Sequence, residues 1–273
     1  MKTVIVPTDF SRTAHKALQF AITVAQNLNL DLVLLHVFNL SGSLPYESPS
    51  QIEQEIREAQ KASDKQLAAV KEQYLHDFSN DIKILSVYGV ISEVIEQVAT
   101  QAKAEFIVMG TRGAKDLWSN IMGSNAFQVV KNASCPVFVI PEKASIQDMK
   151  SIIYASDYTN DEVQVVRSIV DIAQSFKAKT KVVHIHDVEE PSISEDETLS
   201  DWLLSFFENE KLESHVALGS NTIEGIENYL KNNEADLLVL AMKNRDFFEN
   251  IFHTSVTKHF IQHFNMPLLV LPK

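Results

Sequence analysis

Short, unbroken apolar runs alternate along this chain with longer segments of helical periodicity. In the first half the apolar runs lie near residues 2–7, 31–38, 82–88, 105–109 and 137–140. Such runs are typical of parallel strands that are covered on both faces. The segments between them predict helices at about residues 11–28, 50–78, 91–102 and 124–132. Regular alternation of strand and helix predicts an α/β fold with a doubly wound parallel sheet.

The second half of the chain repeats the first. Residues 4–9 and 34–37 recur 148 positions later, and residues 135–141 recur 131 positions later. Constant offsets on either side of one deletion, about 17 residues long, indicate two copies of one domain. We therefore predict two tandem doubly wound domains, at residues 1–143 and 149–273.

Several local features refine this outline. Ser11 and Ser92 stand near the starts of two predicted helices and are expected to act as N-caps. Residues 39–50 carry Ser, Gly and Pro and predict a loop, and the acidic residues 188–197 are expected to be its counterpart. Residues 141–149 form a short polar linker, so the two domains are expected to pack on each other.

Composition limits the class of protein. With 45% hydrophobic and 22% charged residues, the 273-residue chain matches ordinary soluble globular proteins. No apolar stretch approaches the roughly 20 residues that span a bilayer, and the N-terminus does not resemble a secretory signal. The single cysteine, Cys135, excludes an intramolecular disulfide and fits a cytoplasmic protein. We expect this thiol to be buried and inert.

The charge is negative and unevenly distributed. The net charge of −12 disfavours non-specific binding to nucleic acid or anionic lipid. Residues 1–144 hold 13 basic and 15 acidic side chains, a net charge of −2, whereas residues 145–273 hold 11 and 21, a net charge of −10. A polyanionic ligand would therefore meet less repulsion in the first half.

Three of the seven glycines fall within fourteen residues of the first copy. Gly110 and Gly113 follow the fourth predicted strand, and Gly123 with Ser124 opens the next predicted helix. Backbone without Cβ atoms can approach a phosphate closely, and free N–H groups at a helix start suit an anion. Arg112 adds a positive charge. This context predicts a phosphate site; alternatively, the glycines only make a tight turn and let a helix pack on the sheet.

The second copy lacks this glycine pattern. Ala241, Asn244 and Thr254 replace the three glycines, and only Ser255 keeps the type of its counterpart. Side chains would occupy the positions at which phosphate meets bare backbone. We expect no nucleotide there and interpret the second copy as a structural or sensing partner.

The histidines offer weaker candidates. His259 and His263 are four positions apart on a predicted helix, with His253 nearby, which is a spacing that metal sites use. No carboxylate or cysteine in the sequence pattern completes such a site, so we predict no metal. His36 and His184 recur at equivalent strand ends, and a shared structural hydrogen bond explains that recurrence most simply.

The pattern G-x2-G-x9-G-[S/T] after a fourth strand resembles the ATP-binding motif of the universal stress protein family. Residues 4–11, 34–37 and 135–140 are similar to the other signatures of that family, in the same order. The resemblance implies two domains of the adenine-nucleotide α-hydrolase-like, Rossmann-like fold. It also implies bound ATP, with Mg²⁺ or Mn²⁺ commonly accompanying the triphosphate, although no carboxylate cluster identifies a metal seat.

The resemblance places the acid after the first strand beside the nucleoside, the backbone at the end of the second strand beside adenine, and the glycines beside ribose and phosphates. The implied site of the first domain consists of Pro7, Thr8, Asp9, Val37, Met109, Gly110, Arg112, Gly113, Gly123, Ser124 and Asn125.

Three functions remain open on these grounds. The first is a stress-response regulator whose occupancy by an adenine nucleotide alters its contacts with partners. The second is an interaction scaffold that binds no nucleotide. The third is an enzyme that uses the nucleotide, although no nucleophile–base pair is evident and any hydrolysis or self-phosphorylation is expected to be slow. The resemblance further implies that the last strands, residues 137–140 and 268–271, pair as a pseudo-dimer, and leaves homodimerisation open.

Overall fold

The computed structural model describes residues 2–40, 48–74, 78–111, 124–145, 149–158, 162–189, 193–208, 210–242 and 251–272. The chain divides into two compact units, at Met1–Glu142 and Lys143–Lys273. Each unit is a five-stranded parallel α/β layer.

The first unit alternates strands and helices from its start. Its strands are β1 (Thr3–Pro7), β2 (Asp31–Phe38), β3 (Ile82–Tyr88), β4 (Phe106–Gly110) and β5 (Val137–Ile140). Its helices are α1 (Arg12–Leu28), α2 (Pro49–Tyr74), α3 (Ile91–Ala102) and α4 (Ser124–Asn132).

The second unit has the same element order. Its strands are β6 (Ser151–Ser156), β7 (Lys179–Asp187), β8 (Leu212–Gly219), β9 (Leu237–Met242) and β10 (Leu268–Pro272). Its helices are α5 (Glu162–Phe176), α6 (Ser194–Leu204), α7 (Thr222–Asn232) and α8 (Ile251–His263).

Strand order creates one switch point in each sheet. The first sheet has the order β3-β2-β1-β4-β5 and the second has the equivalent order β8-β7-β6-β9-β10. The chain therefore winds outward in one direction from β1, then returns to add β4 on the other side. Parallel pairing of β1 with both β2 and β4 leaves a crevice at their carboxyl ends, which is where ligands bind in open α/β sheets.

The predicted fold class is confirmed, and the strand bounds in the first copy agree to within one residue. The reason is burial: Val4, Ile5 and Val6 are fully covered, and the equivalent runs of β2, β4 and β5 are buried as well. The edge strand β3 is less buried than these central strands. Ser11 caps α1 as predicted, because its Oγ accepts a hydrogen bond from the Ala14 N–H at 3.1 Å.

The predicted N-cap at Ser92 is wrong. The N-cap of α3 is Val90, and the Val94 N–H donates to the Val90 carbonyl at 3.0 Å. Ser92 therefore lies in the first turn of the helix. The helix begins earlier because the chain turns directly after Gly89, whose φ of 155° favours glycine.

Both predicted loops extend too far. Helix α2 begins at Pro49, inside the predicted loop 39–50, since proline fits the first turn of a helix. Helix α6 begins at Ser194, inside the predicted loop 188–197. Three of the acidic residues that suggested a loop, Glu195, Asp196 and Glu197, lie in the first turn of α6, where carboxylates stabilise a helix through its dipole.

The Cys135 thiol is buried, as predicted. Burial and, to a smaller extent, the charge of Glu105 raise its pKa from about 9.0 to about 11. We expect an alkylating reagent to label native protein far more slowly than urea-unfolded protein at pH 8, with Cys135→Ser as the unlabelled control. Because the folded pKa is the higher one, this thiol lowers the free energy of unfolding only as pH rises from about 9 to about 11. Equal labelling rates in the two states would contradict this.

Candidate functional site

A cleft opens at the switch point of the first sheet, beyond the carboxyl ends of β1, β2 and β4. Five chain segments that are far apart in sequence meet there. The cleft is lined by Pro7, Thr8, Asp9, Ala14, Leu35, Val37, Ile91, Ile95, Met109, Gly110, Thr111, Asn125 and Ala126.

Seven of the eleven predicted site residues line this cleft: Pro7, Thr8, Asp9, Val37, Met109, Gly110 and Asn125. Arg112, Gly113 and Gly123 lie outside the described residues. Ser124 is the first residue of α4, and its side chain also lies outside the description. Its predicted place in the nucleotide site stays a prediction.

Sequence reasoning missed the residues that helices bring to the cleft. Ala14 comes from α1, and Ile91 and Ile95 come from α3. These residues belong to the apolar faces of their helices, so the sequence pattern does not distinguish them from ordinary core positions. Their place at a strand-end crevice is visible only in the folded chain.

The turn after β1 is held by its own side chains. Asp9 Oδ1 accepts from the Ser11 N–H, and Thr8 Oγ1 accepts from the Phe10 N–H, each at 3.1 Å. Phe10 has a φ of 63°, in the left-handed region that is costly for an aromatic residue. Local side-chain acceptors thus fix an unfavourable backbone turn at the floor of the cleft.

The backbone of Val37 faces the cleft. The Thr8 N–H donates to the Leu35 carbonyl at 2.8 Å, so the backbone groups of Leu35 point toward β1. The N–H and C=O groups of successive residues alternate in direction along a strand, so those of Val37, two residues after Leu35, also point to the β1 side. The β1 ladder ends where Pro7 pairs with Leu35, so the Val37 groups lie beyond it and can meet a ligand edge.

Gly110 is required by packing of a helix on the sheet. A Cβ atom built on Gly110 would lie 2.7 Å from Thr13 Cγ2 and 3.2 Å from the Thr13 backbone of α1. The described part of the glycine motif thus supports the helix-packing interpretation at Gly110. The interpretation as bare backbone for phosphate stays a prediction for Gly113 and Gly123.

Helix α4 brings its N-terminus to the cleft. Asn125 is its second residue and Ala126 its third, and both line the cleft. The first four N–H groups of a helix lack intrahelical partners and carry the positive end of the dipole. This end of the cleft is therefore suited to an anion.

The second sheet has an equivalent cleft. Its lining residues occupy matching positions in β6, β7, α7, β9 and α8, and include Ala155, Ser156, Asp157, His184, Ile185, Thr222, Ile226, Leu240, Ala241, Val256 and Thr257. The two clefts can therefore be compared position by position.

The two clefts share the turn after the first strand. His36 Nδ1 lies 2.6 Å from the Thr8 carbonyl, and His184 Nδ1 lies 3.0 Å from the Ser156 carbonyl. The rings of His36 and His184 each contact an aromatic residue of the turn, Phe10 or Tyr158, at 4.5 Å between centroids. The shared structural hydrogen bond predicted for the histidine pair is confirmed.

Electrostatics separate the two clefts. Glu162 occupies the position of Ala14; it is fully buried, and its carboxylate accepts a hydrogen bond from the Ser156 hydroxyl. Burial raises the pKa of the Tyr154 hydroxyl well above its usual value, and the negative charges of Glu162 and Asp157 raise it further. The Glu162 carboxylate therefore lies where the first domain has the methyl group of Ala14, and its negative charge opposes a phosphate in the second cleft.

The two clefts also differ in where the helix beside each of them begins. Helix α8 begins at Ile251, so Ser255 is its fifth residue, whereas its counterpart Ser124 is the first residue of α4. The N–H of a fifth helical residue belongs to the internal hydrogen-bond ladder. Val256 replaces Asn125 at the cleft. The second cleft thus lacks a helix N-terminus at the equivalent position.

The histidines on α8 have a partner that the sequence pattern did not show. His259 Nε2 lies 2.8 Å from Glu227 Oε1 of α7, and the His259 ring stacks on His263 at 4.8 Å. The residues that the structure describes nevertheless contain no group of three or more ligands that could hold a metal ion. The side chain of His253 lies outside the description.

None of the helices in the described ranges combines the length and the apolar character that crossing a membrane requires.

Comparison with known proteins agrees with this architecture. The model of the universal stress protein family matches the chain twice, at residues 1–141 and 149–272. One universal stress protein of Methanocaldococcus jannaschii is 32% identical over 143 residues, covering 51% of this chain and 81% of the relative. A second one from that archaeon is 28% identical over 159 residues, covering 53% and 97%.

A solved structure extends the likeness over the whole chain. The crystal structure of a universal stress protein from Archaeoglobus fulgidus superposes with a TM-score of 0.75, covering 99% of this chain and 98% of that one. At 16% identity, this likeness concerns the fold. With a family match in each half, the chain belongs to the universal stress protein family, as a tandem of two such domains.

Proposed function

We propose that the first domain binds an adenine nucleotide such as ATP in the switch-point cleft, and that its occupancy alters contacts with partner proteins in a stress response. The observation that supports this best is the convergence of seven predicted site residues, from separate segments, on one cleft. The second domain, which has the Glu162 carboxylate beside its cleft and no helix N-terminus at the equivalent position, acts as a partner without nucleotide.

The residues of the first cleft fit such a ligand. Val37, Ile91, Ile95 and Met109 supply apolar surface for a flat base, and the Val37 backbone supplies hydrogen-bonding groups at its edge. The start of α4 supplies N–H groups for phosphate oxygens. A bound divalent metal would neutralise part of the triphosphate charge; the described residues provide no ready metal seat of their own.

The role of Asn125 provides a direct test. It is exposed at the second position of α4, and Asn125→Val copies the residue that the second cleft has there. We expect about tenfold weaker ATP binding, the loss of one good polar contact, measured by calorimetric titration with and without Mg²⁺ or Mn²⁺. Val256→Asn is the matched control and should leave the affinity unchanged.

The same titration distinguishes the alternatives. ADP and cyclic AMP vary the phosphate while keeping adenosine, so their relative affinities separate recognition of the base from recognition of the phosphate chain. If none of these ligands produces heat of binding, the result would favour the scaffold that binds no nucleotide. Product analysis after incubation with ATP tests the enzymatic alternative, for which slow hydrolysis is the most we expect. The predicted pairing of residues 137–140 with 268–271, and any homodimer, stay predictions.

A further inference from the structure

An exposed apolar stripe lies along α6 of the second domain. Leu199, Trp202 and Phe206 have exposed fractions of 38%, 45% and 47%. Leu199 and Trp202 are three positions apart and Phe206 follows four later, so they share one face of the helix and its end. The Trp202 and Phe206 rings meet edge to face at 5.0 Å between centroids. We refer to these three residues as the α6 stripe.

The fold itself does not require the α6 stripe. Helix α2 occupies the same place in the first domain, between the second and third strands. No large apolar side chain along the whole of α2 is similarly exposed. Helices α2 and α6 therefore occupy equivalent positions but differ in the exposure of large apolar side chains. Because folding normally buries such side chains, the difference needs a reason outside the fold.

The α6 stripe is held rigidly from behind. Leu203 and Phe207 are buried on the opposite face. The Arg167 guanidinium lies 4.4 Å from the centre of the Phe207 ring and donates to the Phe206 carbonyl at 3.2 Å. Arg167 also pairs with Glu210 at 3.6 Å. The exposed rings thus belong to an anchored segment, which reduces the entropy lost when a partner binds.

Acidic side chains surround the stripe. Residues 193–208 contain five acidic residues and no basic one. Four of these acids are exposed, namely Glu195, Glu197, Asp201 and Glu208. They belong to the half of the chain with a net charge of −10. An aromatic centre with a charged rim is typical of protein interfaces, where tryptophan is enriched among the residues that dominate binding.

We propose that the α6 stripe is a docking surface for a basic amphipathic segment of a partner protein. Apolar side chains of that segment would cover Trp202 and Phe206, and its lysines or arginines would meet the acidic rim. A second copy of this chain fits less well, because a twofold contact through α6 would bring two acidic rims together. Anionic lipid is opposed by the same charges.

A defined peptide tests the proposal. The probe is a fluorescently labelled amphipathic helix of leucine and lysine, with a leucine–glutamate peptide of the same pattern as the charge control. We expect saturable anisotropy with the basic peptide only, weakening as salt is raised. In a Trp118→Phe background Trp202 is the only tryptophan of the chain, and its emission should shift to the blue when the peptide binds.

Variants locate the surface. Trp202→Ser should weaken peptide binding about tenfold, as expected for a central aromatic contact. Tyr88→Ser is the matched control, an aromatic residue that is also 45% exposed but lies in the first domain, and should bind as wild type. Should Trp202→Ser be unfolded by circular dichroism, the double variant Glu197→Lys, Asp201→Lys removes rim charge without touching the stripe and should also weaken binding.

Four results would overturn the proposal. These are no saturable binding of the basic peptide, equal binding of the acidic peptide, an equal loss in Tyr88→Ser, or binding that is unaffected in the folded stripe and rim variants. Analytical ultracentrifugation and vesicle sedimentation test the other occupants. Self-association that Trp202→Ser abolishes, or binding to anionic vesicles, would replace the partner segment by a second copy or a membrane.

Discussion

Replacing Ala14 by Glu should abolish measurable ATP binding to the first domain. This substitution copies Glu162, a buried carboxylate that contacts Ser156 of the second cleft. Ala14 lines the first cleft, so a negative charge there would oppose the triphosphate in surroundings that water screens poorly. We expect at least a hundredfold loss of affinity, equivalent to about 2.7 kcal/mol, measured by calorimetric titration.

The fold should survive this substitution because the local partner exists. In the second domain the Ser156 hydroxyl donates to Glu162, and Thr8 occupies the position of Ser156. We therefore expect a stability cost of only about 1–3 kcal/mol, within the range of ordinary core substitutions, measured by urea unfolding.

Ala14→Gln is the matched control for this charge effect. Glutamine has nearly the size of glutamate without its charge. If ATP binds the Gln variant much more tightly than the Glu variant, charge rather than bulk excludes the phosphate. Wild-type affinity in a folded Ala14→Glu protein would place the nucleotide elsewhere and contradict the proposed site.

Gly110→Ala should destabilise the first domain by about 1–3 kcal/mol, as overpacking typically does. The new Cβ would lie 2.7 Å from Thr13 Cγ2 and 3.2 Å from the Thr13 backbone, so α1 and β4 must move apart. Urea unfolding measures the loss. Adding Thr13→Ser removes the methyl group nearest to the new Cβ and should restore part of the stability, giving a coupled pair in a double-mutant cycle.

ATP titration of the same variant distinguishes two roles for the glycine. Because the added atom points to Thr13, the folded fraction of Gly110→Ala should bind ATP with nearly wild-type affinity. Unchanged stability together with lost ATP binding would instead show that the bare backbone of Gly110 serves the phosphate.

The sequence predicted the strands and the existence of the helices better than the residues at which the helices begin. Strand bounds were accurate because each strand is a short apolar run, fully or largely buried in the central strands, and an apolar run is a signal that depends on no distant contact. Ser11 was identified as a cap because its hydroxyl accepts from the N–H of Ala14, only three residues away, so this signal is local too. Ser92 and the acidic residues 195–197 were misassigned, because hydroxyl and carboxylate side chains suit caps, loops and first helical turns alike.

The candidate site was predictable only in its strand-end and glycine-motif residues. Pro7, Asp9 and Gly110 follow directly after apolar runs, so their place at the carboxyl edge of a parallel sheet follows from chain order. Ile91 and Ile95 carry no such marker. Which helical residues face a crevice depends on how each crossover helix is rotated against the sheet, and packing sets that rotation.

By itself the sequence determined that this protein has two copies of one α/β domain and that only the first keeps the glycine motif. Hydrophobic periodicity, repeat offsets and residue types are all given by the order of residues along the chain, and they can be recognised without knowledge of the fold. Tertiary structure decided that Gly110 meets Thr13, that Glu162 lies buried against Ser156 of the second cleft, and that Trp202 faces solvent. Each of these depends on segments far apart in the chain, whose distances and exposure are fixed only when helices pack on the sheet.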